Sequence, residues 1–226
     1  MQRRIALVTG ANRGIGFAIA AELHGRGLQV VVTARDEQEA GRAAARIGPD
    51  VRAEALDVTD PESVTTAAKR VGPVDVLVCN AGVLLDGGHD PLSTPLDLVE
   101  QTFAVNLLGG WRVAQAFIPP MVRNGWGRVV FISSGTGAFS NGLFVGAPGY
   151  SVSKTAVNGL TTMLAQQTSG TGVLVNAVNP GIARTRMMPD ATREPKDVAI
   201  EIADVALLPD TGPSGIFLRG ERQLPW

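Results

Sequence analysis

Tyr150 and Lys154 place a phenol and a primary amine at positions i and i+4 in the segment Tyr150-Ser151-Val152-Ser153-Lys154. A helix brings such a pair to one face. A free phenol ionises near pH ~10, so it is a poor acid–base catalyst at neutral pH unless a nearby cation favours its phenolate. Lys154 can supply that charge, and Tyr150 is the chain's only tyrosine. The pair reads as a proton-transfer device. By itself the pattern is weak, because any helix can carry it by chance, and its weight comes from what precedes it.

Residues 9–16 read Thr-Gly-Ala-Asn-Arg-Gly-Ile-Gly and follow a short apolar run. Gly10 permits a tight turn, Gly14 lets the backbone approach a phosphate, and Gly16 allows a helix to pack on a strand. Asn12, Arg13 and Ile15 share the turn, which would offer a pyrophosphate the N–H groups and positive end of the following helix. An ordinary glycine-rich connection would look similar. A P-loop is disfavoured, since no Lys-Ser/Thr follows the last glycine.

Arg13 lies inside that turn and Arg35 at the end of the next apolar run, with Asp36 one step later at a helix cap. Free ribose hydroxyls are usually met by a carboxylate at that strand end, whereas a 2′-phosphate needs cations. Two guanidinium groups there favour NADP(H). The bland reading is solvated surface charge. Asp57, followed by Val58, either accepts a hydrogen bond from an adenine amino group or simply holds a turn.

The elements that must position these residues alternate. Ile5–Val8, Gln29–Thr33, Val51–Leu56, Val74–Cys79, Arg128–Ser133, Val173–Val178 and Ile216–Leu218 read as strands. Gly14–Arg26, Glu37–Ile47, Pro61–Val71, Leu96–Arg123, Tyr150–Thr168 and Pro195–Leu208 read as helices. Asp60 before Pro61 and Glu62 is strong helix-start chemistry. Continuously apolar strands between helices predict an α/β fold, Rossmann-like and doubly wound, with a mostly parallel seven-stranded sheet covered on both faces. No repeat or compositional break divides the chain, so residues 1–226 read as one dinucleotide-binding and catalytic domain.

Composition narrows the classes. Apolar residues are 45% and charged residues 18% of the 226, which excludes global disorder. Net charge is −1 with no basic block, so nucleic acid is not the expected partner. One cysteine cannot form an internal disulfide and fits a reducing, cytoplasmic location. The start only faintly imitates a signal peptide, and no run approaches the ~18 apolar residues of a membrane span. Two distant histidines and one cysteine make no metal-ligand cluster. His24 reads as a cation at a helix C-terminus, His89 as a residue of a polar loop, and Cys79 as a small core side chain.

Taken together, Thr-Gly-Ala-Asn-Arg-Gly-Ile-Gly (9–16), Leu-Asp-Val (56–58), Cys-Asn-Ala-Gly (79–82), Val-Asn (105–106), Phe-Ile-Ser-Ser-Gly (131–135), Tyr-Ser-Val-Ser-Lys (150–154) and Asn-Pro-Gly-Ile-Ala-Arg-Thr-Arg-Met (179–187) resemble the short-chain dehydrogenase/reductase family, and its carbonyl reductases in particular. The resemblance spans nearly the whole chain, in family order. It implies that Tyr150 exchanges the proton on the substrate oxygen and that Ser134 hydrogen-bonds that oxygen. Lys154 would hold the nicotinamide ribose and lower the tyrosine pKa, and Asn106, in the long helix, would hold a water for proton resupply. Asn80, Ala81 and Gly82 would pass beside the adenosine and ribose. Pro180, Gly181, Ile182 and Thr185 would cradle the nicotinamide amide.

Two departures stand out. Cys79 replaces the first of two asparagines usual in the family. Ser134 and Tyr150 are 16 positions apart, more than the family's usual spacing, so the loop between them should bulge over the substrate mouth. Ser133 is a weaker candidate, because adjacent strand residues face opposite ways.

The function expected is NADPH-dependent reduction of a hydrophobic ketone or aldehyde. Leu84, Leu85, Phe139, Phe144, Val145, Met187 and Met188 should line its pocket. Alternatives are alcohol oxidation by the same site, or an NADP-sensing regulatory protein without turnover. The second normally loses the tyrosine or lysine. Dehalogenation would normally show a degraded glycine turn. Gly109, Gly110, Ala156 and Gly159 are small residues inside helices, which pack closely against the core or across a subunit contact; a homo-oligomer, dimer or tetramer, is expected.

Overall fold

The computed structural model describes residues 3–226, with Asn141 described by its backbone alone. Four apolar runs form its centre: β1 (Ile5–Val8), β2 (Gln29–Ala34), β4 (Val76–Cys79) and β5 (Gly127–Ile132). β3 (Arg52–Ala55) and β6 (Val173–Val178) extend the sheet on either side. β7 (Phe217–Arg219) follows β6. The strand order is β3-β2-β1-β4-β5-β6-β7-β8, and the first seven are parallel. The expected count of seven is corrected to eight, because β8 (Arg222–Leu224) turns back antiparallel on β7. A three-residue edge strand carries too little apolar patterning to be read from sequence.

Helices cover both faces, as the apolar strands require. On one side, α1 (Gly14–Gly25), α2 (Glu37–Ile47) and α7 (Pro195–Ala206) bury Ile19, Leu23, Ala43, Ile202 and Ala203 against Val30, Val78 and Val130. On the other, α3 (Pro61–Val71), α5 (Gly110–Asn124) and α6 (Pro148–Gln167) bury Val64, Phe117, Met121 and Leu160 against Leu7, Leu77 and Phe131. Each of these Val, Leu, Ile, Phe and Met side chains contributes about 1.5–3 kcal/mol. Strand order reverses between β1 and β4, which opens a crevice at their carboxyl ends.

The span read as one helix, 96–123, is divided. α4 (Leu96–Phe103) runs into a π-helical stretch, Ala104–Gly109, before α5 begins. At this junction a Cβ on Gly109 would lie 2.6 Å from Val58 Cγ2, and one on Gly110 would lie 3.4 Å from Phe131 Cε1. The two glycines are therefore spent on the chain's own core. A wider turn accommodates that contact, and such bulges often mark functional sites.

Near β7, Phe217 stacks on Trp226 with ring centroids 5.6 Å apart. Ser140 donates its N–H to the Trp226 carbonyl at 3.1 Å. The enlarged 135–147 loop thus rests on the β7–β8 region. No helix among the described residues is long and apolar enough to cross a membrane.

Candidate active site

The glycine turn has the backbone that a phosphate cradle needs. Gly10 (φ 62°) and Gly14 (φ 57°) are left-handed, where a side chain would be strained. A Cβ on Gly16 would lie 2.4 Å from Asn80 Nδ2 and 2.5 Å from the Gly10 carbonyl. Asn80 fills that space because it fastens two turns: its Nδ2 donates to the carbonyls of Thr9 (2.9 Å) and Gly10 (3.1 Å). Thr9 Oγ1 accepts the N–H groups of Asn80 and Ala81 in return. At the start of α1, Arg13 makes no side-chain cap and the first turn holds no acidic residue, so the helix end suits an anion.

Asp36 is committed to capping α2, accepting the Glu39 N–H at 2.8 Å, while Arg35 and Arg13 are exposed. Asn12 donates to Glu39 at 2.6 Å. Asp57 holds its own turn through Thr59, at 2.8 and 2.7 Å; of its two sequence readings, this is the one the geometry displays. Across the crevice, Asn179 Oδ1 accepts the Gly181 N–H at 2.9 Å and sets the Pro180-Gly181 turn. Thr185 faces the glycine turn, its Cγ2 3.5 Å from where a Gly14 Cβ would stand. Ile182 is exposed beside it.

β5 ends at Ile132, and the extended backbone continuing through Ser134 sends two serines opposite ways. Ser133 is buried and donates to Asn158 Oδ1. Ser134 Oγ accepts from Thr136 N–H (3.2 Å) and Thr136 Oγ1 (2.9 Å), and its hydroxyl lowers the pKa of the Tyr150 phenol. Lys154 is buried, donates to the Ile132 carbonyl at 2.8 Å, and lies 5.5 Å from the centre of the Tyr150 ring.

The expectation that Lys154 lowers the tyrosine pKa is corrected for the free protein. Burial raises the phenol above its ordinary value, opposed only by the Ser134 hydrogen bond. Burial also lowers the Lys154 ammonium to about 8. Desolvation disfavours both charged forms, so the phenol is neutral and the amine charged at pH 7.

Asn106 is in the π-helical stretch, not in a regular helix. Its Nδ2 donates to the Val83 carbonyl (2.9 Å) and Ser153 Oγ (3.0 Å), and its Oδ1 accepts the Val83 N–H (2.8 Å). The amide hydrogens are thus both used. Its Oδ1 and Lys154 Nζ nevertheless border the same gap: a Cβ on Gly82 would stand 3.3 Å from one and 3.6 Å from the other.

These relations decide the family, and the comparisons agree. A model of the short chain dehydrogenase family matches residues 4–196. The chain is a short-chain dehydrogenase. It is 36% identical over 203 residues to the 3-oxoacyl-(acyl-carrier-protein) reductase FabG of Haemophilus influenzae, covering 87% of this chain and 81% of that one. It is 31% identical to the protein of the same name from Vibrio cholerae, covering 98% and 95%. A solved short chain dehydrogenase/reductase family protein superposes with a TM-score of 0.88 at 31% identity, covering 96% and 94%. This short-chain dehydrogenase is an oxidoreductase. With two exposed guanidinium groups beside the dinucleotide cradle, its cofactor is NADP(H).

Several side chains that shape this site were given no role in the sequence reading, although Thr9 and Asn179 stand inside its motifs: these two, Asn158 and above all Asp86. Asp86, in the loop after β4, is fully buried and accepts N–H groups from Gly149 and Tyr150 at the start of α6. A signal existed, since Ala147-Pro148-Gly149 carries no capping side chain and a helix start needs one. Cys79, in the place of the usual asparagine, is buried, its Sγ 3.9 Å from the Gly110 carbonyl, its thiol pushed up to about 12. His24 pairs with Asp50 at 2.8 Å on the surface. No metal-ligand group occurs among the described residues.

Proposed function

We propose that this enzyme reduces a hydrophobic ketone or aldehyde with NADPH, using one domain. The observation that carries the reading is the Lys154 amine, held on the Ile132 carbonyl 5.5 Å from the centre of the Tyr150 ring, with the Ser134 hydroxyl acting on the same phenol. A carbonyl oxygen seated between the two hydroxyls receives the Ser134 hydrogen bond as negative charge develops there. The neutral phenol of Tyr150 then donates its proton, and the ammonium of Lys154 stabilises the phenolate left behind. NADPH, when bound, supplies the hydride. Asn106 Oδ1 and Lys154 Nζ share the gap beside Gly82 through which a water returns the proton.

A raised phenol pKa favours reduction over alcohol oxidation, which needs the phenolate. Intact Ser134, Tyr150, Lys154 and Asn106 argue against a regulatory protein without turnover. The name of the curated relatives, 3-oxoacyl reductases, supports a ketone. Phe139, Phe144, Val145, Met187 and Met188 are exposed and form an apolar rim for the substrate.

We infer a homo-oligomer from open apolar faces: Leu108 and Trp111 where the π-helical stretch meets α5, and Val152 and Met163 around the bare Gly159 on α6. We infer a cytoplasmic location, which the single buried thiol supports.

The test mixes purified protein with NADPH and a panel of aryl ketones, aldehydes and quinones, following loss of nicotinamide absorbance. Turnover that Tyr150→Phe abolishes, at unchanged NADPH affinity, supports the reading. No turnover and no NADPH binding refutes it.

A further inference from the structure

α6 begins without a cap of its own. Ala147 offers no polar side chain, Pro148 has no N–H, and the Ser151 N–H returns to the Ala147 carbonyl at 2.9 Å. Two first-turn donors remain, the N–H groups of Gly149 and Tyr150. Both go to one carboxylate, that of Asp86, more than sixty residues away in sequence.

That carboxylate is 0% exposed, and among the described residues no cationic side chain pairs with it. What meets it there are the two N–H groups and the positive end of a twenty-residue helix. Gly149 is shaped to admit it. A Cβ at Gly149 would stand 3.0 Å from Asp86 Oδ2 and 3.1 Å from Val99 Cγ2. A second tie runs parallel, from the Gly88 N–H to the Gly146 carbonyl at 2.8 Å.

A helix cap needs only a local serine or aspartate. Drawing it from the loop that carries Leu84 and Leu85 does something more: it fixes the backbone of the proton donor relative to the substrate mouth. Resting on the reductase reading above, we propose that Asp86 is a positioning residue for the Tyr150 phenol, holding it at the place where Ser134 and the substrate carbonyl meet it.

The experiment uses the full chain and first measures wild-type turnover; absence of any turnover would count against the reductase reading alone. Asp86→Ala and Asp86→Asn are then compared by NADPH affinity, kcat, KM and backbone amide exchange at Gly149 and Tyr150. Displacement of a reacting group by ~1 Å costs about a hundredfold. Asp86→Ala is therefore expected to lower kcat by roughly ten- to a hundredfold, with NADPH affinity within about threefold and exchange at the two amides at least about tenfold faster. Asp86→Asn keeps one acceptor oxygen and limits the loss in kcat to severalfold. If Asp86→Ala does not fold, Asp86→Asn decides, with a severalfold loss in kcat at unchanged NADPH affinity. Unchanged kcat in a folded variant, or unchanged exchange at both amides, overturns the proposal. So does a kcat that falls only in proportion to lost cofactor binding, which is the mark of a merely structural cap.

Discussion

Replacing Lys154 by methionine removes the charge facing Tyr150 while keeping an unbranched side chain. The amine lies 5.5 Å from the centre of the phenol ring. At an effective dielectric of about 20, one full charge on the phenolate is stabilised there by about 3 kcal/mol, equivalent to about two pKa units. A proton partly transferred in the transition state feels a fraction of that, so kcat at pH 7 should fall by roughly ten- to a hundredfold. The pH dependence has a definite sign. Lys154 loses its proton near 8 in the free enzyme, so wild-type kcat/KM for NADPH should decline as pH rises through that value. Lys154→Met should lack this limb. The single tyrosine permits an independent assay by tyrosinate absorbance. Its midpoint in the free protein should lie above the ordinary value, and Lys154→Met should barely move it, since the lysine is already neutral there. A variant kcat within about threefold of wild type, a retained limb near 8, or a wild-type midpoint below the ordinary value would refute the reasoning.

The same substitution should stabilise the fold. Holding a charged amine whose pKa falls from 10.5 to about 8 costs about 3 kcal/mol below that window. Leaving the Ile132 carbonyl unpaired returns ~1–3 kcal/mol of that, so a Tm rise of a few degrees is expected by calorimetry. Between 8 and 10.5 the unfolded chain binds more protons, so wild-type stability should rise with pH and the variant's should not. Arg35→Asp should shift preference from NADPH toward NADH; an unchanged ratio of the two kcat/KM values would make Arg35 ordinary surface charge. Ser134→Ala should lower kcat by about a hundredfold or more, whereas Ser133→Ala should lower stability by ~1–3 kcal/mol and spare turnover. Met163→Glu should reduce the assembly size seen by sedimentation.

Strands buried on both faces are written as uninterrupted apolar runs, which is why β1, β2, β4, β5 and β6 were legible within a residue or two. The glycine turn and the Tyr150–Lys154 pair were legible because positive φ and helical spacing each restrict residue type. What sequence hid depends on distance. The π-helical stretch around Asn106 has the same apolar pattern as a regular helix, and only contact between Gly109 and Val58 reveals why the turn widens. The Asp86 cap joins segments that share no local pattern. The pKa of Tyr150 was misjudged because spacing shows the amine but not the burial that outweighs it.

The pair of ties from residues 86 and 88, one to the donor helix and one to the loop leading into it, has a practical corollary for anyone altering what the enzyme accepts. Randomising positions 84–89 would change fit and proton delivery at once, and inactive clones would say nothing about fit. Among the described residues, the segment 186–190, with Met187 and Met188 exposed, makes no hydrogen bond to that helix, so diversity placed there should yield altered selectivity in clones that still turn over.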